Sequence, residues 1–179
     1  MRLSKRRGDI VELRDVLDAV GPDMARFAFL LQSIDSRQRI DIDLLTQESA
    51  ENPVLYVQYA HARIAVLGRE AAARGIGRLP IESVDLSVLR HDRESAVIRS
   101  LVDLPEVVED ACRSRAPNKV TTWLRDLAAR FHGFYHDCPV LRSDLDPAVA
   151  QGRLWLVKGT RIGLGTGIDL LGVSAPNAM

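Results

Sequence analysis

The chain has 179 residues, 46% of them apolar, and its 24 Lys and Arg residues balance 24 Asp and Glu residues. This length and composition suit one folded domain, or one domain with an appendage, and exclude gross disorder. The zero net charge offers no global electrostatic argument for nucleic acid or membrane binding. No run reaches the ~18 apolar residues of a membrane span, no secretory hydrophobic region follows Met1, and two cysteines make no disulfide framework, so we expect a cytoplasmic protein with reduced thiols.

Proline marks the start of most predicted helices. Four segments of helical periodicity follow the dipeptides Gly21-Pro22, Asn52-Pro53, Ala116-Pro117 and Asp146-Pro147. The predicted helices cover the residues after Pro22, then 53–74, short segments after Asp85, 117–137, and Pro147 toward Leu171. Period-two alternation is confined to 39–43, which is predicted as an extended connection. The pattern predicts an all-α helical bundle.

Glycines interrupt the last predicted helix. Each costs up to ~1 kcal/mol relative to Ala in a helix interior, so a strained or kinked helix is expected. The run Gly163 to Gly167 does not match the G-x-G-x-x-G phosphate loop, because residue 168 is Ile and no strand precedes it. The glycines in question are Gly152, Gly159, Gly163, Gly165 and Gly167.

The run from Asn52 to Arg63 is the most informative segment. Asn52 is a strong N-cap, and Pro53 suits the first helical position. Tyr56, Tyr59 and Arg63 fall at i, i+3 and i+7, on one helical face. Two aromatic rings and a guanidinium can stack on unpaired bases and hold a phosphate. A second stripe of the same helix is apolar and suits core packing: Val57, Ala60, Ile64 and Leu67.

Other candidate sites are incomplete. The basic run at 2–8 includes Ser4 and Lys5 and suits a polyphosphate, although an N-terminal basic tail has the same composition. His132 and His136 lie at i, i+4, but no Glu lies between them, and an aromatic-rich, partly exposed face is a better interpretation than zinc. We therefore predict no metal site. His61 is either a hydrogen-bonded structural residue or a contact residue.

Five segments together resemble the C-terminal part of arginyl-tRNA synthetase, a class I aminoacyl-tRNA synthetase, over essentially the whole chain. The most specific is Asn-Pro-x-x-Tyr-Val-Gln-Tyr-Ala-His-Ala-Arg at 52–63. The tetrapeptide at 23–26, Asp-Met-Ala-Arg, is similar to the D-A-L-R sequence that names the anticodon-binding fold. The segments at 131–135 and 170–179 also fit. Residues 2–6, Arg-Leu-Ser-Lys-Arg, resemble the K-M-S-K-S loop and depart from it at both ends.

The resemblance implies roles for individual residues. Ser4 and Lys5 match the loop that stabilises the ATP triphosphate, so ATP, with Mg²⁺, is implied for the full enzyme. Tyr56, Tyr59 and Arg63 would face the anticodon loop of the tRNA for arginine. Two further positions would approach the same bases, Tyr135 and the C-terminal Met179. Core packing is as good an interpretation of Tyr135, and a frayed chain end is the alternative for Met179.

The H-x-G-H-type motif of the family's catalytic domain is missing from this sequence. We therefore expect residues 1–45 to be a remnant of the K-M-S-K-S-like loop with a helical connector, and 46–179 to be the anticodon-binding bundle. We expect a monomer that acts as part of an arginine–tRNA ligase, with the catalytic domain outside this chain and no activity of the chain alone. The alternative is a free-standing helical interaction domain without tRNA binding or catalysis.

Overall fold

The computed structural model describes residues 12–49 and 51–179. These residues form seven α-helices, two 3₁₀ turns at Ile81–Ser83 and Leu86–Val88, and no strand, which confirms the predicted all-α class. The helices are α1 (Leu13–Leu30), α2 (Ile42–Leu45), α3 (Pro53–Ala73), α4 (Asp92–Val102), α5 (Leu104–Ser114), α6 (Asn118–Asp137) and α7 (Pro147–Leu170).

Helix α3 begins at Pro53, where the sequence predicts, and ends at Ala73, one residue before the predicted end. The side-chain oxygen of Asn52 accepts hydrogen bonds from the backbone N–H groups of Val54 (3.1 Å) and Leu55 (3.4 Å). Its side-chain nitrogen donates to the Leu45 carbonyl at 2.9 Å, so this fully buried amide also ties the helix to α2. At the other end, Gly75 has a φ of +69°, a left-handed conformation that favours glycine after a helix.

The first helix is broken and the predicted extended segment is partly helical. Gly21, with φ +77° and ψ 166°, interrupts α1 immediately before Pro22, in line with the helix start predicted there. Ile42 begins α2, and the Asp41 carboxylate accepts from the Leu44 N–H at 3.1 Å. The prediction of an extended connection was therefore wrong for residues 42 and 43, because this local cap outweighs the period-two pattern.

Helix α7 runs from Pro147 to Leu170 without a residue in a non-helical conformation, so the expectation of a strained or kinked helix was wrong. Its glycines lie where neighbouring side chains pack closely. A Cβ atom on Gly167 would come within 2.7 Å of Leu124 Cδ2 and 2.9 Å of the Trp123 ring. The low helix propensity of glycine is offset by the close approach of α6.

The core surrounds α6, which packs against α3, α4, α5 and α7. Phe27 and Ala28 of α1 belong to the same buried cluster. A buried ion pair joins α4 to α7, with Glu94 Oε1 2.6 Å from Arg153 Nε. The largest fully buried apolar side chains of the core are Phe27, Phe131, Phe134, Leu124, Leu127, Leu164 and Ile168. Helices α3 and α6 are thereby held side by side at the site described below.

Among the helices described, none combines the length and the apolar character that crossing a bilayer requires.

Candidate functional site

A cleft of about 700 Å³ opens beside the N-terminal half of α3. We call it the aromatic cleft; its lining consists of Glu48, Ser49, Leu55, Tyr56, Tyr59, His132 and Met179. Tyr59 and Met179 are 44% and 61% exposed, which leaves both side chains accessible to a ligand. Three residues singled out from the sequence, Tyr56, Tyr59 and Met179, therefore meet in one cleft.

Arg63 and Tyr135, the other two predicted contact residues, lie next to the cleft around Tyr59. The guanidinium carbon of Arg63 lies 4.5 Å from the centroid of the Tyr59 ring and 4.9 Å from that of Tyr135. Arg63 also donates a hydrogen bond to the Tyr59 hydroxyl at 2.6 Å. These contacts orient the guanidinium in advance, so a positive charge is available beside the exposed Tyr59 ring.

His132 of α6 supports both tyrosines of α3. Its ring lies 4.8 Å from the Tyr56 ring in an edge-on arrangement and 6.0 Å from the Tyr59 ring in a stacked one. The sequence analysis considered His132 only as half of a metal pair with His136. Its position three residues before Tyr135 places the two on one helical face, and this spacing was the signal for a shared site.

The two histidines of α6 occupy different surroundings. His136 Nδ1 lies 2.6 Å from the Asp137 carboxylate, and its side chain is exposed. His132 packs in the aromatic cleft instead. Across residues 12–49 and 51–179, no three or more His, Cys, Asp or Glu side chains group in a way that would hold a metal ion.

Burial sets the protonation states in the cleft. Burial raises the pKa of the Tyr56 hydroxyl, and the nearby Arg125 charge acts in the opposite direction. Burial also lowers the pKa of His132; a hydrogen bond with the Tyr56 backbone acts in the opposite direction, and the Arg63 charge reinforces the effect of burial. At neutral pH, Tyr56 is therefore a hydrogen-bond donor and His132 is uncharged. The positive charge next to the rings comes from Arg63.

The C-terminal tail, residues 172–179, is fastened at its start by α1 and α3. The Asp23 carboxylate accepts hydrogen bonds from the backbone N–H of Ser174 (3.1 Å) and from its hydroxyl. Gln58 Nε2 donates to the Ser174 carbonyl at 2.9 Å, and Arg26 donates to the Gly172 carbonyl. Asp23 and Arg26 are the first and last residues of the Asp-Met-Ala-Arg tetrapeptide, so these two side chains hold the tail.

Further contacts continue along the tail toward Met179. His61, which is buried, places Nδ1 2.9 Å from the Pro176 carbonyl. Arg69 donates to the Asn177 carbonyl at 3.1 Å, and Arg161 donates to Asn177 Oδ1 at 2.7 Å. His61 is thus a hydrogen-bonded structural residue. The tail crosses α3, and its last residue, Met179, lies in the wall of the aromatic cleft.

Ser4 and Lys5 lie outside the residues that the structure describes.

Comparison with known proteins gives consistent matches. A family model described as the DALR anticodon binding domain matches residues 57–179. A protein named arginine–tRNA ligase from Frankia alni is 43% identical over the whole of this chain, which covers 33% of that relative. Another of the same name from Carboxydothermus hydrogenoformans is 40% identical, again over the whole chain and 32% of the relative.

A solved structure also resembles the chain. The arginyl-tRNA synthetase of Thermus thermophilus superposes with a TM-score of 0.75 at 29% identity, over 98% of this chain and 29% of that one. The chain spans about one third of the length of the curated relatives it matches, and it matches their C-terminal portion.

Proposed function

Because the chain belongs to the DALR anticodon binding domain family, we propose that it binds the anticodon loop of a tRNA in the aromatic cleft. The tRNA is the one that accepts arginine, and the chain is the anticodon-binding portion of an arginine–tRNA ligase. The observation that carries this proposal is the convergence of Tyr56, Tyr59 and Met179 on one cleft, with Arg63 fixed beside them.

The chemistry of the cleft suits unstacked bases. An exposed tyrosine ring can accept a base on its face, and such stacking is worth about 1–3 kcal/mol per base. Arg63 and Tyr135 add a cationic and an aromatic surface next to Tyr59. Glu48 can accept hydrogen bonds and Tyr56 can donate one, which would allow the edges of a bound base to be read.

The remaining parts of the proposal concern the whole enzyme. Arginine would be activated with ATP and Mg²⁺ and attached to tRNA by a catalytic domain, with Ser4 and Lys5 near the triphosphate. The chain alone would be inactive, monomeric and cytoplasmic. The anticodon-binding bundle would span 46–179, which contains the whole match to the family model. Residues 1–45 would be the K-M-S-K-S-like loop remnant and a helical connector.

The test is a binding titration with an arginine-accepting tRNA and with the same tRNA carrying a substituted anticodon. We expect tighter binding of the unmodified tRNA. Equal affinity for both would refute anticodon recognition. A parallel assay of ATP–pyrophosphate exchange should give no signal with this chain, and a signal would contradict the proposal that the chain alone is inactive.

A helical interaction domain that does not bind RNA is the second candidate. Its support is the zero net charge of the chain and the acidic Glu48 in the cleft lining. This function predicts weak binding of tRNA without salt dependence, since phosphate contacts release counterions and produce a salt slope. Salt-dependent binding that prefers one anticodon would exclude it.

A further inference from the structure

A second groove, of about 640 Å³, lies between the C-terminal half of α3, the loop after it and α7. Its floor is apolar and includes Leu67 and Val157. Three basic side chains line it: Arg78 from the loop, and Lys158 and Arg161 from α7. Of the residues that the structure describes, no acidic one lines it. We call it the basic groove.

The cations of the groove are not neutralised by neighbouring acids. Within residues 12–49 and 51–179, none of Arg78, Lys158 and Arg161 forms an ion pair with a carboxylate. The acidic residues of α3 and α7 are few: Glu70, which pairs with Arg74, and Asp169 near the end of α7. A chain with zero net charge therefore concentrates positive charge at this groove.

Two of these cations are held in place. Lys158 Nζ lies 4.6 Å from the centroid of the Trp155 ring, and the Arg78 guanidinium lies 5.9 Å from the same ring. The Trp155 indole donates a hydrogen bond to the Leu79 carbonyl at 3.0 Å, which fastens the loop to α7. Gln151 bonds the same loop at Gly77 and Leu79. Cations fixed in this way lose less side-chain entropy on binding an anion.

The basic groove is connected to the aromatic cleft by the C-terminal tail. Arg161 lines the groove and donates to Asn177 Oδ1 at 2.7 Å, and Met179, two residues later, lines the aromatic cleft. We propose that the basic groove binds backbone phosphates of the RNA strand whose bases enter the aromatic cleft. This inference rests on the proposed tRNA function, and the continuity of the two sites favours RNA over an acidic peptide.

The test measures the salt dependence of tRNA binding by the 179-residue chain carrying Arg78→Gln, Lys158→Gln or both. These substitutions leave the tail contacts intact. Each should reduce the slope of log Kd against log salt concentration by about one. For each contact removed, the loss of affinity between 50 and 200 mM salt should shrink about threefold. The Kd ratio between the tRNA and its anticodon-substituted version should stay constant, because phosphates carry no sequence information.

The matched control is Arg99→Gln, which removes the same charge from an exposed position on α4 and should leave the slope unchanged. Equal slopes for the wild type and the double variant would refute phosphate binding at the basic groove. An equal effect of Arg99→Gln would refute it too. In either case, a preference for one anticodon would still support base binding in the aromatic cleft. A reduced slope without anticodon preference would support phosphate binding at the basic groove and refute the proposed anticodon recognition. A wild-type chain that binds neither RNA would overturn both.

Discussion

The Asp23 carboxylate accepts hydrogen bonds from the backbone N–H and the hydroxyl of Ser174, although the two residues lie 151 positions apart in the chain. This pair joins α1 to the C-terminal tail. Gln58 of α3 bonds to the carbonyl of the same serine, so Ser174 is held from two helices. The position of Met179 at the aromatic cleft depends on this anchoring, because a chain end that is not tied down frays.

Replacing Asp23 with Ala should release the tail and weaken tRNA binding. Hydrogen bonds to a charged group contribute about 1.5–3 kcal/mol, and part of that loss should appear as lost affinity. The measurement is a double-mutant cycle with a chain that lacks residues 174–179. We expect Asp23→Ala to have a much smaller effect in the shortened chain, since both changes remove the same tail contacts and only the 3.4 Å contact between Asp23 and Gln58 differs. An equal effect in both chains would contradict the role of Asp23 in positioning the tail; Asp18→Ala, an exposed acid on α1, is the matched control.

Tyr59→Ala should reduce tRNA affinity by about 1–3 kcal/mol, because it removes an exposed ring that can stack on a base. Tyr59→Phe keeps the ring and removes only the hydrogen bond to Arg63, so its loss should be smaller. Filter binding or fluorescence anisotropy gives both values. If the two variants bind tRNA equally well, the ring is part of the scaffold and not a base contact.

Gly167→Ala should lower the free energy of unfolding by about 1–3 kcal/mol, the usual effect of overpacking. The added Cβ would lie 2.7 Å from Leu124 Cδ2 and 2.9 Å from the Trp123 ring, and both side chains are buried. Gly165→Ala is the matched control on the same helix. Its Cβ would meet nothing closer than His61 Nε2 at 3.8 Å, so it should stabilise by up to about 1 kcal/mol. Urea denaturation compares the two, and equal effects would contradict the packing role of Gly167.

His132 should make stability depend on pH below its unfolded-state pKa of about 6.5. Burial lowers its pKa in the folded chain below the value of about 6.5 expected when unfolded. Below pH 6.5 the unfolded chain therefore binds a proton that the folded chain does not, and the free energy of unfolding decreases as the pH falls. The slope from this group is at most about 1.4 kcal/mol per pH unit. Urea denaturation at several pH values should show a shallower decrease for His132→Phe; an unchanged decrease would refute the assignment.

Much of the fold follows from short-range signals. Asn52 and Pro53 start α3, and Gly75 follows its end, as the sequence predicts, because caps and helix periodicity depend on residues within about four positions of each other. The predicted all-α class is confirmed. The assignment to the family, which rested largely on the segment 52–63, is confirmed as well. A separation of four positions places Tyr59 and Arg63 on one face of α3, where they contact each other directly.

Other relationships depend on which helices pack together. The packing of His132 against Tyr56 and Tyr59 requires α6 to lie beside α3. The glycines of α7 weaken a helix considered alone, but they admit the side chains of α6 in the folded chain. Met179 reaches the cleft through hydrogen bonds between residues more than 100 positions apart, such as Gln58 and Ser174. Helical periodicity carries no information about such distant partners, because they are brought together by burial of the common core.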